Sequence, residues 1–338
     1  MSSRSARRLA ALVVCLGAAA GAGSADPKAE GAAEFFRGKT IAYIVSTEPG
    51  GGYDTYARLI GRHLEKQLGA KVVVRNVPGA GHLIGLDQLH RAPADGLTLG
   101  TFNTGLVYAQ LLGQEGMHVD LRTLSWVGKA AADPRVFVVG KDTPFQSVAD
   151  LRKAAQPTPL ATSGAGSASY NEMRLLSQVM GFPVKLVVGY GGREGEMGIL
   201  RGEVAGTLAS WSSMQAFVAN GFARPLFRIG VDATLDAKIP EARTLVASPD
   251  DVSVVDFIEA QAQLGRMTAG PPGIPADRLA ELRRAYLAAL ADPALLAEAK
   301  KLEVPIEPAG GDEVARKIEL ALAQTPRTKA LLASAKPD

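Results

Sequence analysis

The chain has 338 residues, 47% of them hydrophobic and 21% charged, enough for two ordinary domains that bury adequate cores without disulfide staples. Lys and Arg number 37 against 34 Asp and Glu, and Arg4, Arg7 and Arg8 account for the excess, so the rest of the chain is formally neutral. With no Lys/Arg run and no basic-aromatic stripe, this balance argues against nucleic acid and anionic membrane as partners.

The three arginines precede an apolar run at 9–20 (LAALVVCLGAAA) and the small residues Gly23, Ser24 and Ala25 before Asp26. That order predicts a signal peptide over 1–25, cleaved after Ala25, and a periplasmic mature protein. A membrane anchor needs an apolar span of about 20 residues, and this run is shorter. A lipoprotein signal needs a small residue where Val14 precedes Cys15, and Arg7-Arg8 lacks the surrounding twin-arginine pattern. Cleavage removes Cys15, the only cysteine, leaving a protein that must be stable in an oxidising space through its core alone. The Ala/Gly-rich stretch 26–38 reads as a mature N-terminal lead-in.

The first structured unit is read from residues 40–70. TIAYIVS at 40–46 is a short β-branched run with the character of a buried strand. Ala57, Ile60, Leu64 and Leu68 then recur at helical spacing, and Gly69 stands where a helix C-cap glycine belongs. Between them lies PGGGYD at 49–54. A glycine turn from strand to helix leaves the first N–H groups of the helix without intrahelical partners, at the positive end of its dipole, which is a site for an anion. The P-loop is excluded because Tyr53 and Asp54 stand where Lys and Ser/Thr would follow, and G-x-G-x-x-G is missing. A small carboxylate or similar anion fits better than a nucleotide.

The unit recurs along the chain. KVVVR at 71–75, the turn NVPGAG at 76–81, a helical stripe of Leu83, Leu86 and Leu89, LTLGTF at 97–102 and a helix over 106–112 follow. Strands alternating with helices at this spacing predict an α/β architecture with a mainly parallel sheet flanked by helices. The pattern restarts with strand candidates at 136–140, 159–163, 184–189, 204–209 and 225–230, then returns with a strand over 262–267 and helices over 275–301, 312–323 and 325–333. The expected organisation is a first lobe over 26–130, a second over 131–230, and a return to the first over 231–338, with the ligand cleft between the lobes. Loops at the carboxyl ends of strands should line that cleft. Those loops are rich in glycine, hydroxyls and single aromatics. They nominate Asn103 and Thr104; Ser163, Gly164, Gly166, Ser167, Ala168 and Ser169; Tyr190; and Trp211 as ligand-binding residues. A helix start capped by Ser167 or Ser169 would make a second anion site aimed from the other lobe.

In collinear order, PGGGYD, NVPGAG, APADGLTLG at 92–100, SGAGSAS at 163–169, GYGG at 189–192, RGEVAG at 201–206 and PPGIPADR at 271–278 resemble the periplasmic solute-binding proteins of the tripartite tricarboxylate transporters, the Bug family. The resemblance covers nearly all of the mature chain. It implies a two-lobed type II periplasmic binding protein that closes like a Venus flytrap on a small organic carboxylate and delivers it to membrane transporter subunits. Matching positions for the carboxylate loops are Gly51, Gly52, Tyr53 and Asp54, then Ser163, Gly164, Gly166, Ser167 and Ser169. The chain departs from the family at Tyr170, where His is common, and at Ala205, where Asp is common.

Two other readings are open: a periplasmic ligand-carrier for a sensor kinase, with the same fold, and a secreted α/β hydrolase. Against the hydrolase, the histidines His63, His82, His90 and His118 all lie early in the chain and no G-x-S-x-G elbow surrounds Ser163, Ser167 or Ser169. Only His82, just after the Pro-Gly-Ala-Gly turn, is placed to matter. No H-E-x-x-H or tight carboxylate cluster points to a metal. The protein is therefore expected to be a monomeric binding protein without cofactor or catalytic residues.

Overall fold

A computed structural model describes residues 27–132, 134–324 and 326–334; the expected signal peptide lies outside them. The strands are β1 (Thr40–Val45), β2 (Lys71–Asn76), β3 (Thr98–Thr101), β4 (Ser125–Lys129), β5 (Arg135–Gly140), β6 (Thr158–Ala161), β7 (Val184–Val187), β8 (Gly206–Ser210), β9 (Ala223–Ile229), β10 (Met267–Gly270) and β11 (Ala309–Gly310). They form one sheet in the order β11-β4-β10-β3-β1-β2 and another in the order β7-β6-β8-β5-β9. Within the sheets β1 pairs in parallel with β2 and β3, and β6 with β7 and β8. Both sheets are mixed, because β5 and β10 run antiparallel to their neighbours. These are the strands by which the chain enters the opposite sheet. A chain that crosses at the carboxyl ends of parallel strands can enter the next sheet only from that end, and so runs against them.

Each sheet is covered on both faces. Ile60 and Leu64 of the helix Gly52–Leu68 and Leu282 and Tyr286 of the helix Ala276–Leu290 pack on one face of the first sheet, over Tyr43 and Leu99. Leu86, Val107 and Ile318 cover the other face beside Trp126. In the second sheet Phe137 and Leu208 pack under Met173 and Leu176 of the helix Ala168–Met180, and Val136 and Val138 pack under Trp211, Met214 and Phe217. Each large aliphatic side chain taken fully out of water contributes about 1.5–3 kcal/mol, so both sheets have cores that need no cysteine. Gly69, with φ of 62°, ends the helix Gly52–Leu68 as its sequence position predicts.

Several elements differ from expectation. The lead-in expected at 26–38 contains the helix Pro27–Phe36, whose Phe36 is fully buried in the first core. No strand spans 262–267. Pro249–Ala262 is a helix, opened by Pro249 and by the Ser248 hydroxyl accepting from the Asp251 N–H, and the strand starts only at Met267. Its stripe of Val254, Val255 and Ile258 is buried in the second sheet's core, although the segment follows residue 230. The single helix expected over 275–301 is two, Ala276–Leu290 and Pro293–Lys301, because Asp292 caps and Pro293 opens the second. Among the described residues no helix is long and apolar enough to cross a membrane.

Candidate ligand-binding site

The carboxyl ends of β1, β2, β3, β6, β7 and β8 meet at a cavity of about 460 Å³ between the two sheets. On the β1 side it is lined by Gly51, Gly52 and Tyr53. Gly51 is the N-cap of the helix Gly52–Leu68, in extended conformation with φ of −83°, and no side chain caps this end. The first-turn N–H groups and the positive end of the helix dipole are thus available to an anion. The left-handed residue of the turn is Gly50, with φ of 79°. Asp54 is absent from the cavity lining and braces the turn: its carboxylate accepts from the Gly50 N–H and from Arg58 Nε, both at 3.0 Å. Burial raises the Asp54 pKa, but these hydrogen bonds outweigh it and hold the carboxyl below its ordinary value.

From the second sheet, Ser163, Gly164 and Ala165 line the cavity on the loop after β6, and Ser169 lines it from the first turn of the helix Ala168–Met180. The N-terminus of the helix Ala168–Met180 is already largely occupied by the protein. The Ser167 hydroxyl accepts from the Tyr170 N–H at 3.3 Å, and Asn103 Oδ1 accepts from the Ala168 N–H at 3.1 Å and from the Gly105 N–H at 2.8 Å. Asn103 therefore both lines the cavity and ties the two sheets together. Thr104, Gly166, Ser167 and Ala168 lie behind the lining. Tyr190 lines it as well, while its hydroxyl donates to Glu203 at 3.0 Å. Trp211 packs in the second sheet's core, its indole N–H donating to the Thr234 hydroxyl at 2.8 Å. Neither Tyr170 nor Ala205 reaches the cavity.

Sequence reasoning missed several lining groups, above all Arg266. An expected strand over 262–267 concealed it. In the structure it precedes β10 in a left-handed conformation, φ of 57°, and is 2% exposed. Its guanidinium lies over the rings of Tyr53 and Tyr56, 4.3 and 4.9 Å from their centroids, and donates to the hydroxyls of Ser210 and Ser212. These contacts fix the orientation of the cation. It also sits against Gly52, where a Cβ would come within 2.7 Å of Nη2. Guanidinium and helix N-terminus thus converge, two positive features that an anion between them would stabilise. Arg135, at the start of β5, lines the cavity too, but Glu172 accepts from it at 2.7 Å in a buried pair.

His82 also lines the cavity, after the turn that follows β2. It adopts φ of 81°, and its Nδ1–H donates to the Ser46 carbonyl at 2.6 Å, which makes Nε2 an acceptor. Burial lowers its pKa, with the bond to Ser46 opposing. The unfolded chain therefore binds a proton below about pH 6.5 that the native imidazole resists. Stability is expected to be complete above that pH and to fall as pH drops through it. Melting curves between pH 7.5 and 5.5 check this, and His82→Gln should flatten that part of the profile; equal slopes in both proteins would count against it.

The sheets touch through glycines. Gly51 faces the Cα of Gly192, and Gly81, at φ of 64°, faces the Ala165 carbonyl, so that a Cβ on either would lie within 3.3 and 2.6 Å of the opposite backbone. Such bare contacts allow two surfaces to close on each other.

The sequence pattern of the family described as the tripartite tricarboxylate transporter family receptor matches residues 56–333. A UPF0065 protein from the tcbD-tcbE intergenic region of Pseudomonas sp. (strain P51) is 34% identical over 146 residues, 42% of this chain. The match spans 44% of that relative, less than half its length. Among solved structures, the periplasmic binding protein BugD is similar with a TM-score of 0.72 and 21% identity, over 88% of this chain and 97% of that one. MatC from Rhodopseudomonas palustris, with bound malate, is similar with a TM-score of 0.72 and 19% identity, over 87% of this chain and 99% of that one. At these identities the structural likeness speaks for the fold.

Proposed function

Because the chain belongs to the tripartite tricarboxylate transporter family of receptors, periplasmic solute-binding proteins and not enzymes, we propose that it captures a small organic carboxylate between two lobes and delivers it to a membrane transporter. The observation that carries this reading is the convergence of the uncapped helix at Gly51 and Gly52 with the Arg266 guanidinium at one cavity. The carboxylate is held by the Gly51 and Gly52 N–H groups, Arg266, and the hydroxyls of Ser163, Ser169 and Ser213, which line the same space. The malate bound by MatC is a ligand of the same chemical kind. In this reading residues 26–130 and 231–338 form the first lobe and 131–230 the second, with the helix Pro249–Ala262 carried on the second lobe's core.

Since each lobe offers only part of the donor set, ligand and closure are coupled. A thermal-shift screen of mono-, di- and tricarboxylates, aromatic acids included, should find at least one that raises the melting temperature by several degrees, because a ligand at a hundred times its Kd stabilises by about 2.7 kcal/mol. Small-angle scattering of that complex should give a smaller radius of gyration than the apo protein. Absence of any shift, alongside turnover of an ester or amide, would sink the proposal.

A further inference from the structure

The chain passes between the sheets from β4 to β5, and again from the helix Pro249–Ala262, on the second sheet's core, to β10. β4 and β10 are neighbours in the first sheet, whereas the glycine contacts lie farther along it, between the loops after β1 and β2 and those after β6 and β7. This places a hinge at the two passages and a mouth at the glycines.

Arg266 stands on the second passage, and its backbone belongs to the first sheet. Met267 begins β10, and the Arg266 carbonyl accepts from the Ala130 N–H of the other passage at 3.2 Å. The rings beneath its guanidinium, Tyr53 and Tyr56, are on a helix that covers the first sheet. Tyr56 is fixed in turn, its hydroxyl donating to the Pro305 carbonyl at 2.6 Å. From the second sheet the guanidinium meets two hydroxyls: Ser210, at the end of β8, accepts from it at 3.2 Å, and Ser212, in the first turn of the helix Trp211–Ala219, at 2.9 Å. Ser212 does not line the cavity. The left-handed φ of 57° at Arg266 is one that non-glycine residues keep only where surrounding contacts hold it.

We propose that Arg266 is the latch of closure: it stays with Tyr53 and Tyr56 when the lobes part, and Ser210 and Ser212 reach it only when they close. The inference rests on the reading of the protein as one that closes on its ligand. A hydroxyl–guanidinium bond adds to the closed form alone, and water replaces it in the open form. Ser212 thereby raises affinity without touching the ligand, because the apparent Kd varies inversely with the closed fraction.

Spin labels at Lys71→Cys and Lys185→Cys, exposed positions on the edge strands β2 and β7, report the opening of the mature protein by pulsed double electron resonance. Without ligand, Ser212→Ala should lower the closed-to-open ratio about fivefold, the size of one such bond. Ser212→Thr keeps the hydroxyl and should restore most of it. Affinity for the acids found by thermal shift should fall by one common factor whatever their shape, with little change in apo melting. A distance distribution identical in wild type and Ser212→Ala overturns the latch, and any loss of affinity then comes from a misoriented guanidinium. Losses that differ severalfold between acids also count against it. If no acid binds, the capture reading falls, while the distance distributions still decide the latch.

Discussion

Arg266→Gln is expected to weaken binding of the captured carboxylate about a hundredfold, which is about 2.8 kcal/mol. A charge-assisted hydrogen bond in a site closed to water is worth about 1.5–3 kcal/mol, and removing one member of a buried charge pair costs about 2–5 kcal/mol. Glutamine keeps a donor for Ser210 and Ser212 but loses the charge and much of the stacking on Tyr53 and Tyr56. Apo stability should change less, since the loss of cation–π contact, about 1 kcal/mol, is offset by relief of a cation held beside a helix N-terminus. Calorimetry with the acid found by thermal shift, together with apo melting on the same preparation, separates the two effects. Unchanged affinity would show that Arg266 only joins the lobes and does not meet the ligand.

Gly51→Val is the second large effect, and it should act on closure alone. With φ of −83° and ψ of 173°, Gly51 occupies a region open to any L residue, so valine adds no backbone strain in the open protein. Its Cβ would stand 3.3 Å from the Cα of Gly192 on the opposite loop, and the γ-methyls would intrude further. Overpacking of this kind costs about 1–3 kcal/mol, here only in the closed form, so affinity should fall roughly thirtyfold, about 2 kcal/mol. The radius of gyration at saturating wild-type ligand should stay near its apo value. If the glycines serve only the strand-to-helix corner, the order reverses: the variant melts lower yet binds normally once folded.

Much of the architecture was legible in local pattern. Short apolar or β-branched runs next to turn residues mark β1, β2, β3, β5, β6, β7, β8 and β9, and glycine after the last apolar repeat marks the end of the helix Gly52–Leu68. Where periodicities overlapped, the reading failed. Ser248, Pro249, Asp250 and Asp251 carry the start signals of a helix, but Ala-Gln-Ala-Gln-Leu at 260–264 alternates like a strand and hides both the end of that helix and the start of β10. β4 (SWVGK), buried throughout, shows no alternation and carries no strand signal of its own.

The site divides along the same line. A glycine turn between a strand and a helix implies free N–H groups from chain geometry alone, so Gly51, Gly52 and Tyr53 could be named from sequence, as could the loop from Ser163 to Ser169. Which atoms of those loops remain available was decided by their neighbours. Asn103 takes the N–H of Ala168, Ser167 that of Tyr170, and Asp54 that of Gly50, while the core claims Trp211. The roles of Arg266 and His82 depend on two sheets meeting across a cleft. Hydrophobic period and turn chemistry act over a few residues, so the sequence by itself determined the strand-turn-helix units and their anion-seeking ends. The charge pattern inside the cavity belongs to groups far apart in the chain, and only the tertiary structure, by choosing which strand ends face each other, could decide it.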